Sequence, residues 1–395
     1  MRLGLTIQKY NPEIDTHPHD DVYHLEVSRG LTILDALIRI KNELDGRLSF
    51  RYSCRSAICG SCAMTINGSE KLACRTSVRR EWEQHGIITV APLKNLPLVK
   101  DLVVDMRPFW EKTRTVVPWL LTDKGEEEFV LANSRVGGCT GEKESVLADS
   151  RQWEKALSWQ RRGGPGVVEG ASEKESVPGN PSARPRPDQD YALVSQALPS
   201  AKAFHNADAC IMCGACVAAC LSHEADRHFL GPAALAKAYR FVADAREGEG
   251  PRTARLAALQ EPTGIWDCTR CNFCVQVCPK DVQPMEAIIR LRRAAIERGL
   301  TNTEGARHVT GFRDLIAKYG RLNEALMPLK VVGPRLRRLI DILPLGLRML
   351  WKGKVPSPLH SRINGADRIR AILERKDVRR EVSHLRPDVP GEING

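Results

Sequence analysis

Apolar and polar side chains alternate along two stretches near the start of the chain, residues 3–10 and 22–28, with proline and aspartate between them. A period of two predicts half-buried strands, and the break predicts a hairpin. At Thr32 the period changes, because Thr32 and Asp35 have the spacing of a helix capping box. The apolar residues that follow recur near helical spacing: Ile33, Leu34, Leu37, Ile38 and Ile40.

Strand, strand and helix in this order are the opening of a β-grasp fold. Further along, residues 233–245 and 285–297 show the clearest amphipathic helical pattern. We therefore predict an α+β protein with an N-terminal β-grasp domain over residues 1–121, an α-helical domain over 200–299 and a basic helical extension over 300–395. Residues 122–199, rich in Gly, Ser, Pro, Glu and Arg, are predicted to be a partly disordered insertion with one short helix at 152–159.

The C-terminal extension contains an apolar stripe at helical spacing. Its residues are Leu336, Leu339, Ile340, Leu343, Leu347 and Leu350. Arginines lie off the stripe, and Pro344 is expected to kink the helix. A basic amphipathic helix can lie in a membrane interface, whereas an ordinary apolar stripe packs on the same protein or on a partner.

The net charge of +11 is concentrated near the C-terminus, where residues 290–395 hold 23 Lys and Arg against 11 Asp and Glu. This asymmetry indicates an acidic partner or an anionic membrane face, with nucleic acid as the generic competitor. The N-terminus lacks an apolar signal core, and no run of about 18 apolar residues is present. We expect a cytoplasmic protein, peripheral on the inner face of the cell membrane as part of a complex.

Twelve of the thirteen cysteines fall into metal-ligand patterns, which suit a reducing compartment. Two runs have the spacing C-x2-C-x2-C-x3-C, in which three thiolates bind one cluster and the fourth binds the other. We assign one 4Fe-4S cluster to Cys210, Cys213, Cys216 and Cys278. We assign the second to Cys268, Cys271, Cys274 and Cys220. Zinc is the alternative, but structural zinc usually takes C-x2-C pairs.

A third set, Cys54, Cys59, Cys62 and Cys74, has the plant-type spacing of a 2Fe-2S cluster. The Asn67-Gly68 turn predicts the hairpin that returns Cys74 to the other three. Buried structural cysteines are the alternative explanation. Cys139 lies outside every motif, and we interpret it as an incidental exposed thiol in preference to a redox or palmitoylation site.

Aromatic and histidine residues surround the two later runs. Trp266 and Phe273 are expected to cover the clusters and exclude water, which tunes the reduction potential. The histidines near the motifs are interpreted as packing or surface residues. They are His205, His223 and His228.

Several segments around the cysteines resemble the iron-sulfur subunit of succinate dehydrogenase and fumarate reductase. They are residues 50–54 through Cys74, 99–109, 229–234, 239–240 and 274–284. The resemblance covers residues 1 to about 121 and 200 to about 297. It implies an electron-transfer subunit with no catalytic residue of its own. Its partners would be a flavoprotein that carries FAD and a membrane-anchor subunit, with quinone as an indirect partner.

Two positions depart from the family pattern. Typical members lack a cysteine at the position of Cys271 and hold a 3Fe-4S cluster there, so we predict a second 4Fe-4S cluster with 3Fe-4S as the alternative. After Cys220 the chain reads Leu221-Ser222-His223-Glu224, where the family has a proline and paired tryptophans of a quinone pocket. Both departures are similar to variant complexes with heterodisulfide-reductase-like partners, including thiol-driven fumarate reductases.

Two other functions stay open on the sequence. One is the iron-sulfur arm of a different oxidoreductase, of the thiol:fumarate or glycolate type, although the β-grasp half argues against it. The other is a basic, zinc-stabilised nucleic-acid-binding protein, which would be colourless and salt-sensitive. We expect no nucleic-acid partner.

Overall fold

The computed structural model describes residues 2–28, 30–121, 206–333, 336–354 and 361–374. The chain divides into two compact units, residues 1–299 and 300–395. The predicted helix at 152–159, Cys139 and His205 lie outside the described residues. The secondary structure combines a mixed sheet with helices, as an α+β fold requires.

The first unit begins with a five-stranded sheet in the order β2-β1-β5-β3-β4. Its strands are β1 (Arg2–Lys9), β2 (His19–Glu26), β3 (Ala63–Ile66), β4 (Ser69–Leu72) and β5 (Ile88–Ala91). The predicted β1–β2 hairpin is confirmed, with antiparallel pairing from Arg2 opposite Glu26 to Lys9 opposite His19. β5 pairs parallel with β1 and antiparallel with β3, so it joins the two hairpins into one sheet.

Helix α1 (Ile33–Arg39) begins at the predicted capping box. The Asp35 backbone N–H donates to Thr32 Oγ1 at 3.2 Å, and the Thr32 N–H donates to Asp35 Oδ2 at 3.2 Å. The helix ends in one π-helical turn, Ile40–Leu44. Fully buried Leu5 and Leu37 belong to the same core, and each such side chain stabilises the fold by about 1.5–3 kcal/mol.

The remainder of the first unit is mainly helical. Helix α2 (Val78–His85) precedes β5, and two short strands, β6 (Leu98–Lys100) and β7 (Val103–Val104), pair with each other further along the chain. The helices that follow are α3 (Arg107–Thr115), α4 (Ala215–Ala218), α5 (Leu221–Ala225), α6 (Pro232–Val242), α7 (Glu249–Ala258), α8 (Phe273–Gln276) and α9 (Pro284–Glu297). The predicted helices at 233–245 and 285–297 correspond to α6 and α9, which pack against each other.

Buried Arg255 of α7 ties the segment after α3 to the helical part. Its guanidinium bonds to Glu247 Oε1 at 2.6 Å and donates to the carbonyls of Val116, Val117 and Trp119. Arg255 and Glu247 are both fully buried at their side chains. Breaking such a buried pair typically costs about 3–5 kcal/mol, because one charge stays buried alone.

The second unit contains four described helices, α10 (Glu304–Tyr319), α11 (Met327–Val332), α12 (Leu336–Trp351) and α13 (Ala366–Glu374). Thr303 caps α10, and Gly320, with φ +75°, ends it. α12 continues past Pro344 to Trp351. Among the helices that the structure describes, none is long and apolar enough to cross a membrane.

Candidate metal centres

The first cysteine set lies in a loop that turns its amides inward. Cys54 Sγ accepts three backbone N–H bonds of 3.3 Å, from Ser56, Ile58 and Cys59. The loop achieves this through left-handed backbone at Arg55, Ala57 and Gly60. Amide donors directed at sulfur stabilise thiolates and help set the potential of an iron-sulfur cluster.

The β3–β4 hairpin returns the fourth cysteine, as predicted. Its two-residue turn, Asn67-Gly68, has left-handed backbone at both positions. The Ala73 N–H donates to the Cys62 carbonyl at 3.0 Å, so Cys62 and Cys74 lie at the same end of the hairpin. Burial raises the pKa of Cys62 to about 12, whereas a hydrogen bond from the Ser61 side chain lowers the pKa of Cys59 to about 6.

The second set surrounds one cavity. Cys210, Cys213, Cys216 and Cys278 all line one pocket. Burial raises the pKa of Cys213 to about 11 and that of Cys216 well above its usual value, and the neighbouring thiols raise both further. Thiols that are hard to ionise alone become thiolates readily when a bound metal supplies positive charge.

The third set is formed by the second run together with the last cysteine of the first. Burial raises the pKa of Cys274 to about 12, and the nearby thiols of Cys268, Cys220 and Cys271 raise it further. The pKa of Cys220 is raised by burial and by Cys271 and Cys268. Cys220, Cys268, Cys271 and Cys274 therefore lie near one another.

The two runs have the same backbone conformation. Met212 and Arg270, two residues after the first cysteine, have φ of 55° and 59°. Gly214 and Asn272, two residues further on, have φ of 83° and 70°. A short 3₁₀ turn precedes each run and a short helix, α4 or α8, holds each third cysteine. Cys271 therefore occupies the same position in its run as Cys213 does in the first.

The donor set fits iron-sulfur clusters. Soft thiolates favour such clusters over harder cations, and none of the twelve described cysteines forms a disulfide. Within the described ranges, no three or more His, Cys, Asp or Glu side chains form a site for a single metal ion. The ligands of a cluster are distributed over two or more iron atoms, so their sulfurs need not converge on one point.

Sequence reasoning missed three positioning residues. Asn95 Nδ2 bonds to the carbonyls of Val217, Ala218 and Cys220 at 3.0–3.2 Å, which fixes the end of the first run. Arg292 of α9 donates to the Cys268 carbonyl at 2.7 Å and lies over the Trp266 ring. Lys112 of α3 donates to the Phe229 carbonyl, and burial lowers its pKa to about 8.

The residues expected around the clusters behave differently from one another. Phe273 is 42% exposed at the start of the short helix α8, which also carries buried Cys274. Its expected role in covering a cluster stays a prediction. Trp266 is half-buried. His223 is buried against the Phe229 carbonyl, and burial lowers its pKa to about 4, whereas His228 is exposed. Both agree with packing and surface roles.

Comparisons with known proteins agree with this geometry. Residues 4–111 match the family model described as a 2Fe-2S iron-sulfur cluster binding domain, and residues 206–282 match a 4Fe-4S dicluster domain. Fold and site therefore define an iron-sulfur protein with one 2Fe-2S domain and one dicluster domain.

Several relatives are similar over most of their length. The fumarate reductase iron-sulfur subunit of Mycobacterium tuberculosis is 33% identical over 300 residues, which cover 76% of this chain and 95% of that protein. That of Haemophilus influenzae is 30% identical over 72% of this chain and 90% of that protein. The succinate dehydrogenase iron-sulfur subunit of Paracoccus denitrificans is 30% identical over 74% and 87%. The chain belongs to the family of succinate dehydrogenase and fumarate reductase iron-sulfur subunits.

Proposed function

We propose that this chain relays electrons between a FAD-containing flavoprotein subunit and a second redox subunit of a succinate dehydrogenase or fumarate reductase complex. The proposed ligands of the 2Fe-2S cluster are Cys54, Cys59, Cys62 and Cys74. Those of the first 4Fe-4S cluster are Cys210, Cys213, Cys216 and Cys278, and those of the second are Cys268, Cys271, Cys274 and Cys220. When bound, such clusters accept and release single electrons. The contribution of the polypeptide is to hold them in order and to tune their surroundings.

The close packing at Gly60 is the observation that carries this proposal. A Cβ at Gly60 would lie 2.8 Å from Cys213 Cβ and 3.1 Å from the Ile211 carbonyl oxygen. The loop of the 2Fe-2S set therefore touches the first cysteine run. The set that contains Cys216 in turn adjoins the set that contains Cys274, because the Cys274 thiol contributes to raising the pKa of Cys216. The three sets thus follow one another through the first unit, as a one-dimensional electron path requires.

The N-terminal half would be a β-grasp ferredoxin domain, with boundaries at 1–121 and 200–299 for the two cluster domains. The parallel β1–β5 pair beside the β1–β2 hairpin, with α1 packed on the sheet core, supports this assignment. The helical elements of residues 300–374 support a separate C-terminal extension.

The exit partner would dock beside the second run. Arg270 and Asn272 are exposed there, Phe273 is 42% exposed, and nearby Leu221 is 47% exposed. His223 is buried and hydrogen-bonded to the Phe229 carbonyl, and the segment after Cys220 lacks the proline and paired tryptophans that the family has there. These features favour a protein partner of the heterodisulfide-reductase-like kind, on a complex peripheral to the membrane, over a quinone bound directly at this segment.

Metal analysis and EPR of anaerobically purified protein test the clusters. We expect about ten irons per chain, the sum of one 2Fe-2S and two 4Fe-4S clusters. Cys271→Ala should lose about one iron and give the EPR signal of an oxidised three-iron centre. Cys139→Ala is the matched control and should change neither the iron content nor the EPR signal. A three-iron centre in the unaltered protein would contradict the assignment of Cys271.

Identification of the subunits that co-purify with the chain tests the partners. A flavoprotein and a heterodisulfide-reductase-like subunit are expected. Co-purification with a cytochrome-type quinone-reactive anchor alone would overturn the proposed exit partner while leaving the cluster assignment intact.

A further inference from the structure

Helix α12 of the second unit presents a wide apolar face that no described residue of that unit covers. At 3.6 residues per turn, five exposed apolar side chains from Ile340 onward fall on one side of the helix, and Leu345 and Met349 fall on the other. The exposed fractions of the five are 57% for Ile340, 57% for Leu343, 56% for Leu347, 64% for Leu350 and 93% for Trp351. A contiguous exposed patch of this kind marks an interaction surface.

The charge of the same segment is strongly one-sided. Residues 336–354 contain five basic side chains and one acidic one, Asp341. The basic residues are Arg337, Arg338, Arg348, Lys352 and Lys354. A second copy of this chain would bring two such segments together and is opposed by repulsion. An anionic lipid surface complements both features, because it offers acyl chains to the apolar face and negative headgroups to the cations.

The end of α12 has the composition of a membrane-interface anchor. Trp351 is almost fully exposed and is followed by Lys352 and Lys354. Tryptophan prefers the headgroup level, and lysine can extend its charge towards water while its stem lies along apolar surface. The helix has 16 residues, with Pro344 and Gly346 inside it, and it is too short to cross a bilayer. Its geometry therefore suits lying in the plane of the interface.

We propose that α12 binds directly to anionic phospholipid, with Ile340, Leu343, Leu347, Leu350 and Trp351 inserted into the interface. This contact does not depend on the electron path or on an integral anchor subunit. It gives the iron-sulfur chain its own attachment to the membrane surface.

Vesicle flotation of the full-length, cluster-loaded protein tests the proposal. The vesicles are phosphatidylcholine with or without phosphatidylglycerol. The protein should float with the anionic vesicles, and added salt should weaken this binding. Leu343→Glu/Leu347→Glu should reduce the bound fraction at least ~tenfold, because two carboxylates replace side chains that enter the interface.

Leu345→Glu/Met349→Glu is the matched control. It adds the same two charges to exposed apolar positions on the opposite side of α12, and it should bind vesicles far better than the Leu343/Leu347 variant. Equal loss in both variants, or failure of the unaltered protein to float, would overturn the proposal. So would normal flotation of the Leu343/Leu347 variant accompanied by loss of a co-purifying subunit, since α12 would then be a protein-docking helix.

Fluorescence gives a second readout at a single residue. The chain has seven tryptophans, so the spectrum of Trp351→Phe is subtracted from that of the unaltered protein. The difference spectrum should shift to the blue when anionic vesicles are added, as the indole leaves water. An unshifted difference spectrum would contradict insertion of Trp351.

Discussion

The two cysteine runs, at 210–220 and 268–278, have one backbone conformation and two different environments. Gly214 of the first run is buried against Met106, Leu93 and Leu96. These three residues belong to residues 1–121, here called the sheet half. Asn272, at the equivalent position of the second run, is exposed, and so is Arg270. The shared loop geometry suits the proposed cluster ligation, whereas the surroundings of the two runs differ. One run faces the 2Fe-2S set, and the other faces outward.

The largest expected difference between the runs concerns backbone packing. Gly214→Ala places a Cβ 3.2 Å from Met106 Cε at a residue with φ +83°. We expect it to lower the free energy of unfolding by about 2–3 kcal/mol, from left-handed strain and crowding together. Asn272→Ala introduces only the left-handed backbone strain and should lower the free energy of unfolding by about 1 kcal/mol.

Anaerobic urea unfolding, followed by loss of the visible cluster absorbance, measures both variants. Equal shifts of the unfolding midpoint would show that the sheet half does not restrain the first run. The difference in burial between the two runs would then have no effect on the free energy of unfolding.

A smaller effect is expected on reduction potentials. Arg292 is positively charged, half-buried and hydrogen-bonded to the Cys268 carbonyl. Burial raises the pKa of Cys210, and nearby Lys237 of α6 partly offsets this rise. Removing a nearby cation destabilises the reduced cluster, so Arg292→Met should lower the potential of the second 4Fe-4S cluster by a few tens of millivolts. Lys237→Met should act on the first cluster instead.

EPR-monitored redox titration separates these two changes. Arg292→Lys keeps the charge and should restore most of the potential. If either substitution changed the reduction potentials of both clusters equally, its effect would come from general unfolding or net charge. It would then not come from the nearby cysteine set.

The smallest effect is expected at the outward face. Phe273→Ser should slow electron transfer to the exit partner roughly two- to tenfold in the assembled complex, because docking loses an apolar contact. Ile87→Ser, which alters a 60% exposed residue of the sheet half, is the control and should leave the rate unchanged. Cluster spectra should be identical in both variants. Unaltered transfer in Phe273→Ser would place the docking surface elsewhere.

Local signals in the sequence predicted the parts of the fold that depend on neighbouring residues. Thr32 with Asp35 located the start of α1, and Asn67-Gly68 located the β3–β4 turn. The start of β2 was less clear, because Asp20 and Asp21 interrupt the alternation, yet pairing with β1 extends the strand back to His19. A hydrogen-bonded partner strand thus overrides a weak local pattern.

Contacts between distant segments could not be predicted in the same way. The cysteine spacing indicated which thiols belong together, because cluster ligation limits the possible loop geometries. It gave no sign that Asn95 would bond to the Cys220 carbonyl or that Arg292 would reach Cys268, since both residues lie far from their partners in sequence. The strand order and the Gly60 contact with Cys213 also depend on tertiary packing.

The flanks of residues 122–205 are each fixed to the helical half of the first unit. The Leu121 N–H donates to Glu247 Oε2 at 3.0 Å, and its carbonyl accepts from the Gly248 N–H at 3.0 Å. Asn206 Nδ2 bonds to the carbonyls of Lys280 and Asp281. Glu247 and the Lys280 and Asp281 carbonyls therefore act as two anchor points, one for each end of the described chain on either side of residues 122–205.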